Sequence, residues 1–306
     1  MALDQSVRSD PAPAFGATLP MTALPRFSGL ELLAAVNKIL QGAGVTATLE
    51  PELTTFDASP GERVWNRPKA PPRIGLSVNG VTILVEGHDR PAFRPSELAR
   101  LDIRSWPEGR ARVSRARCHV EITEVDAKGG ADLDHNYDRA AAVTVVAAAV
   151  AGLAGAAAVV WHASRRAVAG EELAPLVAAL AAGQAPVPLW LGCVARPGGA
   201  RGVATRGLYA LLGAEIEIAS RNLPVEAAFE VAQELAAEIF RTGGPPEEGA
   251  RLGYDRTTEF GVRYRSGSHA GAVPAVVLTQ VTEPAGAPAR VPVGMRVGVQ
   301  LAAGAA

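Results

Sequence analysis

Apolar residues at helical spacing predict a first helix near the start of the chain. They recur every three or four positions between residues 28 and 41, at Leu32, Leu33, Val36, Ile39 and Leu40. Ser28 and Glu31 have the S-x-x-E spacing of a capping box, in which each side chain bonds the other residue's backbone amide. Gly42 follows the last apolar position and is suited to end the helix. The pattern therefore predicts an amphipathic helix over 28–41.

Strict alternation then predicts a β-hairpin over 73–86. The alternating apolar residues on its two sides are Ile74, Leu76 and Val78, then Val81, Ile83 and Val85. Asn79-Gly80 separates the two runs, and these residue types accept the two positive φ angles of a type I′ turn. The pair of strands is thus joined by a two-residue turn.

Two later segments alternate in the same way and carry polar side chains on one face. In the strand predicted over 116–125, the two faces are Cys118, Val120 and Ile122 against Arg117, His119, Glu121 and Thr123. In the strand predicted over 214–219, Ile216 and Ile218 face inward while Glu215 and Glu217 face outward. Both polar faces are interpreted first as solvated faces of antiparallel sheets.

The uncharged segment 140–161 is as long as a membrane span. Half of its residues are alanine, which favours insertion far less than leucine or phenylalanine does. The preferred interpretation is a buried helix over 137–153 and a core strand over 156–162, with the break at Gly152 or Gly155. Attachment to a membrane through 140–161 stays open as an alternative.

The remaining pattern alternates helices and strands. It predicts helices over 170–182 and 223–240, an apolar run over 187–195 and strands over 259–265, 273–281 and near 291–299. Mixed strands, helices and hairpins favour an α+β fold with mixed or antiparallel sheets over a purely parallel one. We expect a disordered lead at 1–15, two sandwich-like halves at 16–168 and 169–301, and a flexible tail at 302–306.

Composition excludes several classes of protein. The 306 residues carry 30 basic and 31 acidic side chains, so the basic surplus typical of nucleic-acid binding is missing. Two cysteines cannot form a disulfide framework or a usual structural zinc site. The first residues lack the apolar core of a signal peptide, so a cytoplasmic location is expected. No cofactor is predicted from these data.

The second half resembles a known family. The residues that carry the likeness are LWLGCVAR at 189–196, TRGLYALLGAEIE at 205–217 and AAAVVWH at 156–162. They are similar to the bacterial domain-of-unknown-function family catalogued as 4261, over roughly residues 115–280. The resemblance implies an α+β fold and no particular activity. Thr205, Gly207, Leu208, Gly213 and Glu217 also have a structural interpretation as turn, core and strand-edge positions.

The candidate chemistry combines the two polar strand faces. If they meet, His119, Glu121, Glu215 and Glu217 would suit acid–base work or a divalent metal. Arginines near both strands are candidates for an anionic ligand: Arg117, Arg201 and Arg206. The two cysteines, Cys118 and Cys193, are interpreted as buried structural thiols.

A calcium-like spacing before the alanine-rich helix is rejected as a metal site. Positions one, three, five and seven of the pattern are Asp132, Asp134, Asn136 and Asp138. Tyr137 stands where the turn needs glycine, and Val143 where a bidentate glutamate is needed. Acidic and amide side chains at a helix start explain the same residues.

These observations favour a non-catalytic binding or protein-interaction module whose partner is an unidentified protein or small molecule. A hydrolase-type enzyme that uses His119, Glu121, Glu215 and Glu217 is the first alternative. A membrane-attached protein is the second. No G-x-S-x-G, H-E-x-x-H or G-x-G-x-x-G motif is present in the sequence to decide among them.

Overall fold

The computed structural model describes eight stretches of the chain, namely residues 14–54, 73–104, 106–125, 133–195, 202–220, 223–254, 258–266 and 273–281. The fold within them is α+β, as the sequence predicts. The predicted features at 1–13, 197–199, 291–299 and 302–306 lie outside the described residues.

The chain divides into two units, Met1–Trp190 and Leu191–Ala306. The sequence analysis places the boundary at 168, whereas the structure keeps the next twenty or so residues with the first unit. The reason is packing: Ala167–Ala169 pairs with Ala158–Trp161, and the Trp190 indole donates to the Thr144 hydroxyl at 2.9 Å.

The first unit is built on one seven-stranded sheet. Its strands are β1 (Gly16–Met21), β2 (Ala47–Glu50), β3 (Arg73–Val78), β4 (Val81–His88), β5 (Cys118–Glu124), β6 (Ala158–Trp161) and β7 (Ala167–Ala169). They lie in the order β2-β3-β4-β5-β1-β6-β7, and every pairing in this order is antiparallel. Strand β1, which the sequence analysis missed, therefore sits between β5 and β6.

The predicted hairpin is confirmed. Val78 pairs with Val81, and the two turn residues have positive φ angles, 51° at Asn79 and 76° at Gly80. Strand β4 continues past residue 86 to His88, so the second strand is longer than the alternation predicts. This extension places His88 in the sheet.

Helices cover the apolar face of this sheet. They are α1 (Gly29–Ile39), α4 (Leu133–Ala154), α5 (Leu173–Ala181) and the single turn α6 (Val187–Trp190). In α1 the capping box is formed, with the Glu31 amide donating to Ser28 Oγ at 3.2 Å. Helix α4 contacts α1, α5, β1 and β5. The apolar run over 187–195 contains two elements, the turn α6 and a strand at Gly192–Ala195.

Helix α4 is the candidate membrane segment of the sequence analysis. By length and composition it is long and apolar enough to cross a membrane, and 61% of its most apolar window is buried. It ends at Ala154, and Gly155 has a φ of 63° before strand β6 begins at Ala158. The predicted buried helix, break and core strand are therefore present.

A buried ion pair joins α4 to the sheet. Arg139 is 1% exposed, and its Nη2 donates to Glu124 Oε2 at 2.8 Å. The Phe15 amide donates to the same carboxylate oxygen at 3.1 Å, and the Arg139 guanidinium lies 4.9 Å from the Phe15 ring centre. Phe15 is 1% exposed, so its assignment to a disordered lead was wrong.

The opposite face of the sheet is covered only in part. The segment between β4 and β5 contains α2 (Pro95–Leu98) and α3 (Gly109–Ser114). It forms a second apolar cluster over β6 and β7, made of Leu101, Ile103, Trp106, Val113, Ala158, Val160, Ala167 and Ala169. The same face carries polar side chains on β3, β4 and β5, where the candidate site lies.

The second unit contains a six-stranded sheet. Its strands are β8 (Gly192–Ala195), β9 (Gly202–Arg206), β10 (Glu215–Ala219), β11 (Arg251–Gly253), β12 (Glu259–Arg265) and β13 (Ala275–Val281). The order is β11-β12-β13-β10-β9-β8, with β10 and β13 parallel and the other pairs antiparallel. Strands β8 and β9 are antiparallel neighbours along the chain.

The described part of this unit also has two helices, the single turn α7 (Tyr209–Leu212) and the long helix α8 (Val225–Thr242). Helix α8 contacts β9 and β10 through its apolar side. Its other side carries the four-residue acidic repeat, Glu226, Glu230, Glu234 and Glu238. The first three of these glutamates are exposed, and Glu238 pairs with Arg241, so the repeat is a solvated helix face.

Candidate metal centre

The candidate site lies on the polar face of the first sheet, where β4 and β5 run side by side. His88 pairs directly with His119, and Glu86 pairs with Glu121. Side chains two residues apart on one strand share a face, so His119 and Glu121 point the same way. The antiparallel register thus brings two imidazoles and a carboxylate together.

The three donor groups are close enough to hold one ion. His88, His119 and Glu121 each offer one ligand atom, and these atoms lie within 4.8 Å of one another. The His88 and His119 rings are stacked with their centres 4.7 Å apart. His88 Nε2 lies 3.6 Å from Glu121 Oε2, beyond hydrogen-bond distance, and this buried nitrogen has no hydrogen-bond partner.

A backbone hydrogen bond orients the buried histidine. His119 is 6% exposed, and its Nδ1 lies 2.8 Å from the Arg90 carbonyl oxygen. Since a carbonyl only accepts, Nδ1 carries the proton and Nε2 keeps its lone pair. Burial lowers the pKa of His119, and the neighbouring His88 lowers it further. The neutral tautomer with a free Nε2 is the form that binds metals.

The second carboxylate on this face, that of Glu86, is engaged in an ion pair. Glu86 stands opposite Glu121 across the two strands, where like charges repel. Arg73 Nε lies 2.6 Å from Glu86 Oε1 and balances its charge. The Glu121 side chain keeps 38% of its surface exposed. Glu121 is therefore the carboxylate of this face that is positioned to bind an ion with the two histidines.

A further histidine lies on the same face, beyond β1. Thr18 pairs with Glu121, and Thr18 Oγ1 lies 2.8 Å from His162 Nε2. Gly16 leaves room for this ring, because a Cβ at that position would stand 2.5 Å from His162 Nδ1. Burial lowers the pKa of His162, while the charge of Glu121 raises it.

The second pair of predicted site residues, Glu215 and Glu217, belongs to the second unit. Glu217 is 4% exposed, and Arg265 Nη1 donates to its Oε2 at 3.0 Å. The interpretation of this strand face as solvated was wrong, as was the strand-edge position of Glu217, because β10 lies between β9 and β13. A combined site of both strands stays a prediction.

Glu215 is held by its own neighbours. Its carboxylate accepts from Thr205 Oγ1 at 2.7 Å and from the backbone amides of Gly207, Leu208 and Tyr209 at 2.8, 3.2 and 3.1 Å. Burial raises the pKa of Glu215, and these four donors offset part of that rise. With its oxygens engaged in this way, Glu215 fixes the turn that begins α7 rather than facing solvent.

The predicted ligand-binding arginines belong to different units of the chain. Arg117 is exposed and stands one residue before β5, and its amide donates to the Met21 carbonyl at 2.9 Å. Arg206 ends β9 and is partly exposed. Arg201 lies outside the described residues. Within the first unit, Arg117 stands two residues before His119.

The calcium-like spacing falls on a helix. Asp134, Asn136 and Asp138 belong to the first turns of α4, and Asp132 lies outside the described residues. Asn136 Oδ1 accepts from Arg139 Nη1 at 3.0 Å, and Asp138 Oδ2 accepts from the Asn79 amide at 3.4 Å. These described side chains serve the helix and its contacts with neighbouring elements.

Both cysteines are buried, as predicted, and neither forms a disulfide. Cys118 Sγ lies 3.4 Å from the Met21 carbonyl oxygen. Burial raises the pKa of the Cys118 thiol and the charge of Asp89 raises it further. A raised pKa keeps the thiol protonated and unreactive.

Comparison of the chain with protein-family models, curated proteins and solved structures gives no match.

The sequence analysis finds His119 and Glu121 but misses His88. The predicted hairpin ends at residue 86, although the alternation of polar positions Thr82, Glu86 and His88 continues to the end of β4. That continued alternation is the signal that places His88 on the polar face. His162 and Thr18 are also missed, because their proximity depends on the placement of β1 between β5 and β6.

Proposed function

We propose that this chain is a binding module for a divalent transition-metal ion, held in the first unit by His88, His119 and Glu121. The observation that carries the proposal is the position of His119. Its Nδ1 is committed to the Arg90 carbonyl, which leaves Nε2 as the ring nitrogen able to bind. His119 also belongs with His88 and Glu121 to a group whose ligand atoms lie within 4.8 Å of one another. Metal-binding histidines commonly have such an outer hydrogen bond.

The donor types favour one class of ion. Imidazole suits zinc, iron, nickel and copper, whereas calcium and magnesium prefer a shell of oxygen donors. Two histidines and one glutamate are a ligand set found at zinc centres. We therefore propose zinc or a similar borderline transition metal.

At the level of the whole protein, we propose a cytoplasmic binding module related to the family of unknown function that the second half resembles. A metal-dependent hydrolase is the second candidate. It is favoured by the partly exposed Glu121, which leaves the ligand cluster accessible to water. In that case His119 and Glu121 act with His88 as metal ligands, rather than with Glu215 and Glu217.

The test is metal affinity, measured for the full chain by competition with a chromophoric chelator. We expect the wild-type chain to bind Zn²⁺, with one ion per chain. His88→Gln and Glu121→Gln should each weaken binding by at least about 100-fold, the upper end of the loss seen for an outer-shell partner. His135→Gln is the matched control, because His135 is exposed on α4 and lies outside the cluster.

Circular dichroism establishes that each variant is folded before its affinity is compared. His88 and Glu121 are preferred to His119 for this purpose, since they are more exposed. Equal Zn²⁺ affinity in the wild-type chain and in both folded variants would show that the proposed site is wrong.

A further inference from the structure

We infer that the metal ion keeps a free coordination position that takes an oxyanion, either a carboxylate or a phosphate group, steered by Arg117 and Arg90. The inference rests on the proposed function and adds the chemical class of the ligand.

The cluster has fewer protein ligands than a closed zinc site. Among the residues that the structure describes, the cluster contains three metal-binding side chains, His88, His119 and Glu121. Closed structural zinc sites have four protein ligands, whereas sites with three protein ligands bind water or a substrate in the fourth position. A three-ligand set thus leaves one position for a ligand from outside the protein.

The cluster is partly accessible to solvent. The side chains of Glu121 and His88 are 38% and 18% exposed, while His119 lies beneath them at 6%. The helices that fill the core cover the opposite face of the sheet. The apolar cluster on this face lies over β6 and β7, away from the β4–β5 pair. The cluster is therefore open to water on the side of Glu121.

The loaded site and the arginines next to it in sequence carry positive charge. Two neutral imidazoles and one carboxylate leave a divalent ion with one net positive charge. The Arg90 carbonyl oxygen lies 2.8 Å from His119 Nδ1, and Arg90 is exposed directly beyond β4. Arg117 stands two residues before His119, and its amide bond to Met21 extends the β1–β5 pairing, so strand alternation places it on the His119 side.

The nearby acids do not cancel this charge. Glu86 is paired with Arg73, and Asp89 carries one negative charge against the two positive charges of Arg90 and Arg117. A cation with two arginines beside it attracts an anion and suits an oxyanion, which accepts both metal coordination and arginine hydrogen bonds.

The test uses the full chain loaded with Co²⁺, whose visible absorption reports the ligands on the metal. Inorganic phosphate and acetate are titrated separately, and we expect at least one of them to change the absorption. Arg117→Gln should weaken that binding on the order of fivefold, as expected for a partly exposed charge pair. Co²⁺ affinity should stay within about twofold of wild type. Arg115→Gln is the matched control, because Arg115 is also exposed but ends helix α3, before the residues that pair as β5 begin.

The outcomes separate the two proposals. A change with phosphate alone identifies a phosphate ligand, and a change with acetate alone a carboxylate. If Co²⁺ binds but neither anion changes the absorption, the free position is refuted while the metal proposal stands. Equal anion affinity in Arg117→Gln and Arg115→Gln refutes the role of Arg117. Failure of the wild-type chain to bind Co²⁺ or Zn²⁺ refutes both proposals.

Discussion

A single hydrogen bond determines which atom of His119 is available to a metal ion. The Arg90 carbonyl holds Nδ1 at 2.8 Å, and Nε2 is left as the acceptor atom of the ring. His88 faces it across the strands with no hydrogen-bond partner for its own Nε2. If the two histidines had only a structural role, the buried His88 Nε2 would lower stability, since a buried polar atom without a hydrogen bond is destabilising. Binding of a metal ion would remove that cost.

Two glycines show how backbone geometry alone determines the effect of a substitution. A Cβ at Gly80 or at Gly152 would meet nothing within 4 Å, so neither change causes a clash. Gly80→Ala should destabilise the fold by about 1 kcal/mol, because φ there is 76°. Gly152→Ala should stabilise the protein by up to about 1 kcal/mol, because residue 152 is helical.

Urea denaturation of both variants measures these changes in the free energy of unfolding. The two alanines are chemically identical and both enter open space, so each is the control for the other. Equal changes in the two variants would refute the assignment of the turn geometry at Asn79-Gly80.

At the scale of elements, helix α4 is fixed to the sheet by the pair of Arg139 and Glu124. Their side chains are 2% and 4% exposed. Arg139→Met should cost about 3–5 kcal/mol, because it leaves the Glu124 carboxylate buried without its counter-charge. Adding Glu124→Gln should recover part of this loss, since glutamine is neutral and can still accept from the Phe15 amide.

Chemical denaturation of the two single variants and the double variant forms a double-mutant cycle for this pair. A double variant that is less stable than Arg139→Met would contradict the assigned ion pair.

Elements with strong local signals could be predicted from the sequence, and their surroundings could not. The capping box of α1 and the Asn79-Gly80 turn depend on neighbouring residues, and both are confirmed. Alternation correctly separates the two faces of β10, but it cannot show that Arg265 from β12 covers Glu217. The alternation of β4 could have placed His88 on the polar face, but its position opposite His119 depends on the β4–β5 register, which no local pattern encodes.

At the scale of the whole molecule, the two groups of candidate site residues lie in different units. Glu217 binds Arg265 within the second unit, and His88, His119 and Glu121 cluster within the first. The boundary at Trp190 could not be predicted, since it depends on the indole bond to Thr144 and on the pairing of β7 with β6.

The metal proposal predicts that the second unit does not supply ligands. Glu217→Gln should leave Zn²⁺ affinity within about twofold of wild type. Loss of a metal ligand, or of a residue that hydrogen-bonds to a ligand, would lower the affinity by about 10-fold or more. The Glu217→Gln change should lower stability by about 1 kcal/mol, since it weakens the hydrogen bonds to Arg265, whose 46% exposed side chain can be solvated instead.

Chelator competition and denaturation of the same Glu217→Gln preparation supply the two measurements. A large loss of Zn²⁺ affinity in the folded variant would restore the combined site of both strands and refute the three-ligand assignment.

The distribution of tryptophan makes the two units optically distinguishable. All four tryptophans, Trp65, Trp106, Trp161 and Trp190, precede residue 191, and the second unit contains only tyrosines as fluorescent residues. Trp161 and Trp190 are fully buried, so exposure to water will shift their emission to longer wavelength. Tryptophan emission therefore reports the unfolding of the first unit, while circular dichroism reports both. Different midpoints from the two signals reveal any sequential melting without a label or a truncation.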